Sequence, residues 1–153
     1  MSDTDDSIRE IRINPIVPTE SVLVATARGM RPKKAEEKVD RDTREHVETC
    51  PFCRGNEDRT PPEISRWPET GDWDVRIVPN LYPVLGDDRA QTNIAFGLQQ
   101  VIDGYGRHEV IIDNPNHGIA LHEMSERHLG SLFGVYQQRM ADLYASDDRL
   151  RYV

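Results

Sequence analysis

A 153-residue chain that is 37% hydrophobic and 30% charged can bury one core, and its composition is that of a soluble globular protein. No run approaches the roughly 18 apolar residues of a membrane span, and the acidic start Met1-Ser2-Asp3-Thr4-Asp5-Asp6 lacks the basic-then-apolar pattern of a secretory leader, so a cytoplasmic protein without a membrane partner is expected. A net charge of −8 excludes a general nucleic-acid surface, which needs clustered Lys and Arg against phosphate.

In chain order, residues 1–9 read as a disordered acidic tail and residues 10–153 as one domain. Ile11-Arg12-Ile13 running into Asn14-Pro15 predicts a short strand and a turn. Residues 21–27, apolar and β-branched, predict a second strand, which Gly29, Pro32 and the charges of Arg28, Arg31, Lys33 and Lys34 then break. Residues 35–49 are so charged that a surface loop or a loosely held helical turn is expected. Residues 73–78 alternate apolar with polar and predict a half-buried strand, ended by Pro79 and the Leu81-Tyr82-Pro83 turn. Residues 93–98 and 106–113 read as further strands. Ser125 caps a helix running to about Ala145, with Leu129, Leu132, Phe133, Tyr136, Met140, Leu143 and Tyr144 at steps of three and four. Residues 150–153 look like the beginning of another strand. Strands followed by one long helix predict an α+β fold, an antiparallel sheet with the helix packed on one face.

Chemistry is concentrated at Cys50-Pro51-Phe52-Cys53. Two cysteines two residues apart put two thiolates on one tight turn, half of a tetrahedral zinc site, and in a cytoplasmic protein a metal or thiolate chemistry is favoured over a disulfide. A redox or idle thiol pair is the plainer alternative. Further ligands would come from His46, His108, His117, His122 or His128. His128 falls on the polar side of the helix, where a solvated ring is expected, and His108 lies inside a strand, where a packed or surface ring is the commoner reading. His117 stands in a Pro/Gly turn, from which a side chain can reach another loop. Arg28 and Arg31 flank a turn at a strand end and carry the fork geometry that binds phosphate oxygens, although a solvated basic loop has the same spacing. Asn80 has an amide that can both donate to and accept from a base edge, or can equally form an Asx turn. No Gly-rich phosphate loop, nucleophile elbow or spaced carboxylate pair is present.

Six phrases, taken together and in order, resemble the galactose-1-phosphate uridylyltransferase family. They are Arg12-Ile13-Asn14-Pro15, Val22-Leu23-Val24-Ala25, Arg28-Gly29-Met30-Arg31-Pro32, CPFCRGNEDRTPPE from Cys50, VRIVPNLYP from Val75 and GRHEVII from Gly106. The Cys phrase and VPNLYP are the specific ones, and the GNED wording is also similar to the plant ADP-glucose phosphorylases. The resemblance implies a histidine-triad-like α+β half, with residues 10–153 as an N-terminal domain incomplete at its C-terminal end. It implies Zn2+ held by Cys50, Cys53 and His117, a nucleotide held by Arg28, Arg31 and Asn80, and a homodimer in the full-length form. The implied reaction moves UMP from UDP-glucose to galactose 1-phosphate through a uridylyl-histidine intermediate. The nucleophile and the fourth zinc ligand of that family come from a His-Pro-His motif expected beyond Val153, so the 153-residue chain alone is expected to be inactive. Other readings are an ADP-glucose phosphorylase-like enzyme and a non-catalytic zinc-containing nucleotide-binding module.

Overall fold

Runs of β-branched residues on either side of Asn14-Pro15 dictate a hairpin. In the computed structural model, which describes residues 8–31 and 41–153, they form β1 (Arg9–Ile13) and β2 (Ser21–Ala25), antiparallel with Ile11 opposite Leu23. The turn between them is fixed by the Asn14 side chain, whose Oδ1 accepts the Ile16 N–H at 2.9 Å and the Val17 N–H at 3.3 Å. β1 takes in Arg9, so the expected tail boundary is too long; residues 1–7 lie outside the described residues. Beyond β2 the chain enters a five-residue 3-10 turn, Thr26–Met30, where an extension of the strand to residue 27 was expected.

The chain divides into two compact units, Met1–Ala35 with Asn80–Glu109 and Glu36–Pro79 with Val110–Val153. The first holds a four-stranded sheet in the order β2-β1-β6-β5, with β5 (Asn93–Phe96) and β6 (Gln99–Asp103) as an antiparallel hairpin. β6 was hidden in the sequence because Gln99 and Gln100 carry no β signal; pairing to β1 overrides propensity there.

In the second unit β3 (Ser65–Trp67), β4 (Val75–Pro79) and β7 (Glu109–Ile112) form a sheet in that order. The helix α1 (Glu126–Ser146) packs on it, its first turn capped by Ser125, whose Oγ accepts the His128 N–H at 3.2 Å. Val75, Met124 and Leu132 form one core cluster, against which Ile111, Leu129 and Val135 pack. Trp73, Val78 and Ile112 form another. The antiparallel sheets and single long helix are the α+β fold expected from the sequence. No described helix is long and apolar enough to cross a membrane.

Two further expectations are corrected. β4 is not half-buried: all of Val75, Arg76, Ile77 and Val78 are buried, because the strand is central and covered on both faces. Arg76 is tolerated there because its Nε donates to Glu63 Oε2 at 2.8 Å, its Nη2 to Thr60 Oγ1 at 3.2 Å, and its guanidinium lies 5.4 Å from the Trp73 ring centre. Residues 150–153 form no strand; the Leu150 N–H bonds back to the Asp147 carbonyl at 3.2 Å and the Asp147 carboxylate holds Arg149, so the segment curls. Residues 41–49 are the expected surface loop with no helical turn, and the loop is fastened: Arg41 bonds Glu123 and the Gly118 carbonyl, and the His117 N–H bonds the Glu45 carbonyl. The rest of that expected loop, through residue 40, lies outside the described residues.

The Glu63 carboxyl is held below its ordinary value of 4.5 by hydrogen bonds from Arg66 first and then from Arg76, with burial opposing. Its folded pKa lies below its unfolded one, so the stabilisation is complete above that ordinary value and is lost as pH falls through the folded value. Glu63→Gln should lower stability at pH 7 by about 1–2 kcal/mol, allowing for solvent screening of a partly exposed carboxylate, and should flatten the acid limb of the stability curve. Urea titrations of both proteins from pH 7 downward check this; parallel acid limbs would contradict it.

Candidate functional site

Two half-turns make the cysteine loop. The Cys50 N–H bonds the Val47 carbonyl at 3.0 Å, the Cys53 N–H bonds the Cys50 carbonyl at 3.4 Å, and Asn56 N–H bonds the Cys53 carbonyl at 3.1 Å. Buried Asn56 ties these turns together, its Nδ2 donating to the carbonyls of Cys50 at 2.8 Å and Val47 at 3.0 Å. Gly55 has φ +94°, a backbone conformation that disfavours a side chain, and its N–H is taken by the Glu57 carboxylate. Glu57 in turn accepts the indole N–H of buried Trp73 at 2.6 Å. The Gly-Asn-Glu phrase therefore has a folding role: it shapes the loop and anchors it to the core. Neither Asn56 nor Glu57 stood out from the sequence as a site residue, and their place in that phrase was the only signal.

The loop is laid against residues 114–118 by the Arg54 N–H, which bonds the Pro115 carbonyl at 3.2 Å. That contact brings His117 to the thiols. The Sγ of Cys53 lies 3.5 Å from His117 Nδ1, and the ligand atoms of Cys50, Cys53 and His117 all lie within 4.8 Å of one another. Ligands about 2.0–2.3 Å from a tetrahedral ion sit about 3.3–3.8 Å apart, so only a small closure separates this arrangement from a metal centre, and the soft S,S,N donor set suits zinc. The three residues can hold a metal ion. Burial raises the Cys53 thiol pKa, so a cation there would have to supply the pull that makes it a thiolate; a backbone N–H from Val47 already favours the charged sulfur. Among the described residues no further His, Cys, Asp or Glu joins this group, His46 and His122 included.

His128 is not solvated as expected: its Nε2 lies 2.6 Å from the Asp113 carbonyl, which ties α1 to the end of β7.

In the other unit, Arg28 sits in the 3-10 turn, with its carbonyl accepting the Arg31 N–H at 3.2 Å. Asn80 is held through Oδ1, which accepts the Tyr82 N–H at 2.9 Å, and its amide nitrogen lies 3.1 Å from His108 Nε2. His108 Nδ1 accepts the Val84 N–H at 3.1 Å, and burial first, then the charge of Arg28, pushes the imidazole pKa down. A neutral His108 thus stands among Asn80 and Arg28, whereas Cys50, Cys53 and His117 belong to the second unit.

With the geometry in place, comparison with known proteins adds a class. No known protein-family profile matches the chain. It is similar to an ADP-glucose phosphorylase of Arabidopsis thaliana, at 30% identity over 147 residues that take in 94% of this chain and 41% of the relative. Among solved structures it is similar to an ADP-glucose phosphorylase from Arabidopsis thaliana with bound ADP-glucose, with TM-score 0.57 and 28% identity over 93% of this chain and 40% of that one. A GALT-like protein from Arabidopsis thaliana matches with TM-score 0.57 and 30% identity, over 72% of this chain and 34% of that one. A uridylyltransferase matches with TM-score 0.52 and 29% identity, over 86% of this chain and 35% of that one. The resemblance to the galactose-1-phosphate uridylyltransferase family expected from the sequence phrases is thus found in sequence and fold alike. The chain spans about two fifths of the length of the curated relative it matches.

Purified protein is expected to contain one zinc per chain by elemental analysis, and Cys53→Ser or His117→Ala is expected to lose it. Structural zinc contributes about 10 kcal/mol or more to folding of small zinc peptides, so chelation should lower the melting temperature clearly. Metal-free protein whose melting is indifferent to chelator and to added zinc would contradict the assignment.

Proposed function

We propose that the chain is the nucleotide-handling portion of a sugar-nucleotide nucleotidyltransferase that works on ADP-glucose. The observation that carries this reading is the likeness along 94% of the chain to an ADP-glucose phosphorylase, a protein also solved with ADP-glucose bound. In this reading Arg28 and Arg31 face the nucleotide phosphates, where their forks oppose the negative charge that grows as the phosphorus–oxygen bond to the departing sugar phosphate breaks. Asn80, whose Oδ1 is held by the Tyr82 N–H, offers its amide N–H group to the nucleotide without having to be ordered on binding. A neutral His108, its Nδ1 taken by the Val84 N–H, stands beside that amide without adding charge. Cys50, Cys53 and His117 would hold a structural zinc, which clamps the cysteine loop to residues 114–118 and supplies no reacting group.

The nucleophile in this reading is a histidine of a His-Pro-His motif, which is not among these 153 residues. It would take the nucleotidyl group as a nitrogen–phosphorus bond forms and the sugar phosphate leaves, splitting the transfer into two steps. The full-length protein would act as a homodimer. A second reading keeps the same parts and exchanges the substrates for UDP-glucose and galactose 1-phosphate. The likeness to a solved uridylyltransferase and the VPNLYP phrase favour it.

Titration calorimetry of the 153-residue chain with ADP-glucose and with UDP-glucose separates the readings. Binding of ADP-glucose at least tenfold tighter is expected; the reverse order supports the second reading, and no binding of either contradicts both. Each charge-assisted hydrogen bond to phosphate is worth about 1.5–3 kcal/mol, so Arg28→Ala or Arg31→Ala should weaken binding roughly 10- to 150-fold. Arg107→Ala, which removes only an ion pair to Asp87, should change it less than about threefold.

A further inference from the structure

A neutral imidazole has one N–H and one lone pair, and the partner of the N–H decides which nitrogen is left for a metal. His117 presents Nδ1 to Cys53 at 3.5 Å, and its other nitrogen, Nε2, lies 3.4 Å from the Oδ2 of Asp42. We propose that Asp42 is the positioning residue of this centre: its carboxylate takes the His117 Nε2–H, fixing the tautomer and the ring so that Nδ1 faces the thiolates. This rests on the reading of Cys50, Cys53 and His117 as a metal centre.

The carboxylate is itself held. Arg44 grips it with Nε at 2.8 Å to Oδ1 and Nη2 at 2.5 Å to Oδ2, and the Arg44 backbone N–H adds a bond at 3.2 Å to Oδ1. Asp42 is therefore a fixed acceptor, although the segment around it has no regular structure. The segment in turn is fastened beside His117. The His117 N–H bonds the Glu45 carbonyl at 2.8 Å, and the Arg41 guanidinium reaches the Gly118 carbonyl and the Glu123 carboxylate. The two backbones run so close that a Cβ on Gly118 would stand 2.6 Å from the Thr43 carbonyl carbon and 2.9 Å from the Arg44 oxygen. Glycine is required at 118 for the acceptor to reach the ring. The strap of residues 41–45, an exposed loop, thus forms the outer layer of the centre.

Two measurements test this on the 153-residue chain. In zinc-loaded protein labelled with 15N-histidine, long-range proton–nitrogen correlations should show the His117 Nδ1 metal-bound and Nε2 protonated; a metal-bound Nε2 overturns the proposal without any mutation. Zinc competition against a chromophoric chelator should show Asp42→Ala weakened 10- to 100-fold, with circular dichroism confirming the fold. Asp42→Asn, which keeps an acceptor oxygen, should recover most of that loss. Arg44→Ala, which leaves the acceptor in place, should lose less than Asp42→Ala. Asp42→Ala within threefold of the parent, or losses equal to those of Arg44→Ala, would overturn it. His117→Ala separates the two levels of inference. If it binds zinc as tightly as the parent, the metal reading falls and the positioning role with it; if it loses zinc while Asp42→Ala does not, the positioning role falls alone.

Discussion

The potential ligand atoms of Cys50, Cys53 and His117, from places sixty-odd residues apart in sequence, stand within 4.8 Å of one another, and contacts throughout the second unit hold them there. The cysteine loop cannot bring Cys53 to His117 by its own turns. It needs the Arg54 N–H on the Pro115 carbonyl to set the distance, Asn56 to keep the loop from opening, and Glu57 on Trp73 to root it in the core. From the other side, the strap through Asp42 and Glu45 holds the ring. The buried Asn56 amide and Trp73 indole N–H are satisfied within this framework. Removing one therefore leaves its partner stranded in the interior, which costs more than the bond itself was worth.

The same logic explains why Arg76 can sit in the middle of β4. A guanidinium 2% exposed would be a severe liability in an apolar strand, yet Thr60 and Glu63, both from the Thr-Pro-Pro-Glu phrase, reach it, and Trp73 lies beneath it. One continuous phrase of sequence thus serves two tasks in succession: its first half shapes the cysteine loop, and its second half neutralises a buried charge in the sheet that the loop rests on.

Much of this was legible in the sequence, and the limits have physical causes. α1 was readable because Ser125 and the three-and-four spacing that runs from Leu129 to Tyr144 are local signals, although of that series only Leu132 and Leu143 are buried. The cysteine pair stood out because its spacing puts two thiols on one turn, and the structure brings His117 beside them. β3 and β6 were invisible because Ser65, Gln99 and Gln100 carry no strand preference and are extended only by their neighbours' hydrogen bonds. Residues 150–153 misled because Leu, Tyr and Val favour strands in general, while Asp147 captures both the Leu150 N–H and Arg149. Asp42 and Arg44 were lost in a charged, solvent-facing run, and only the tertiary contact shows that Asp42 stands beside His117. The proposed nucleotide contacts of Arg28, Arg31 and Asn80 rest on the resemblance.

The account stands or falls on the metal centre, and X-ray absorption at the zinc edge of the purified protein addresses it most directly. A first shell of two sulfurs at about 2.3 Å and the remaining ligands nitrogen or oxygen at about 2.0–2.1 Å is the predicted result. A shell of four sulfurs, a shell of oxygens alone, or no zinc edge at all would contradict it.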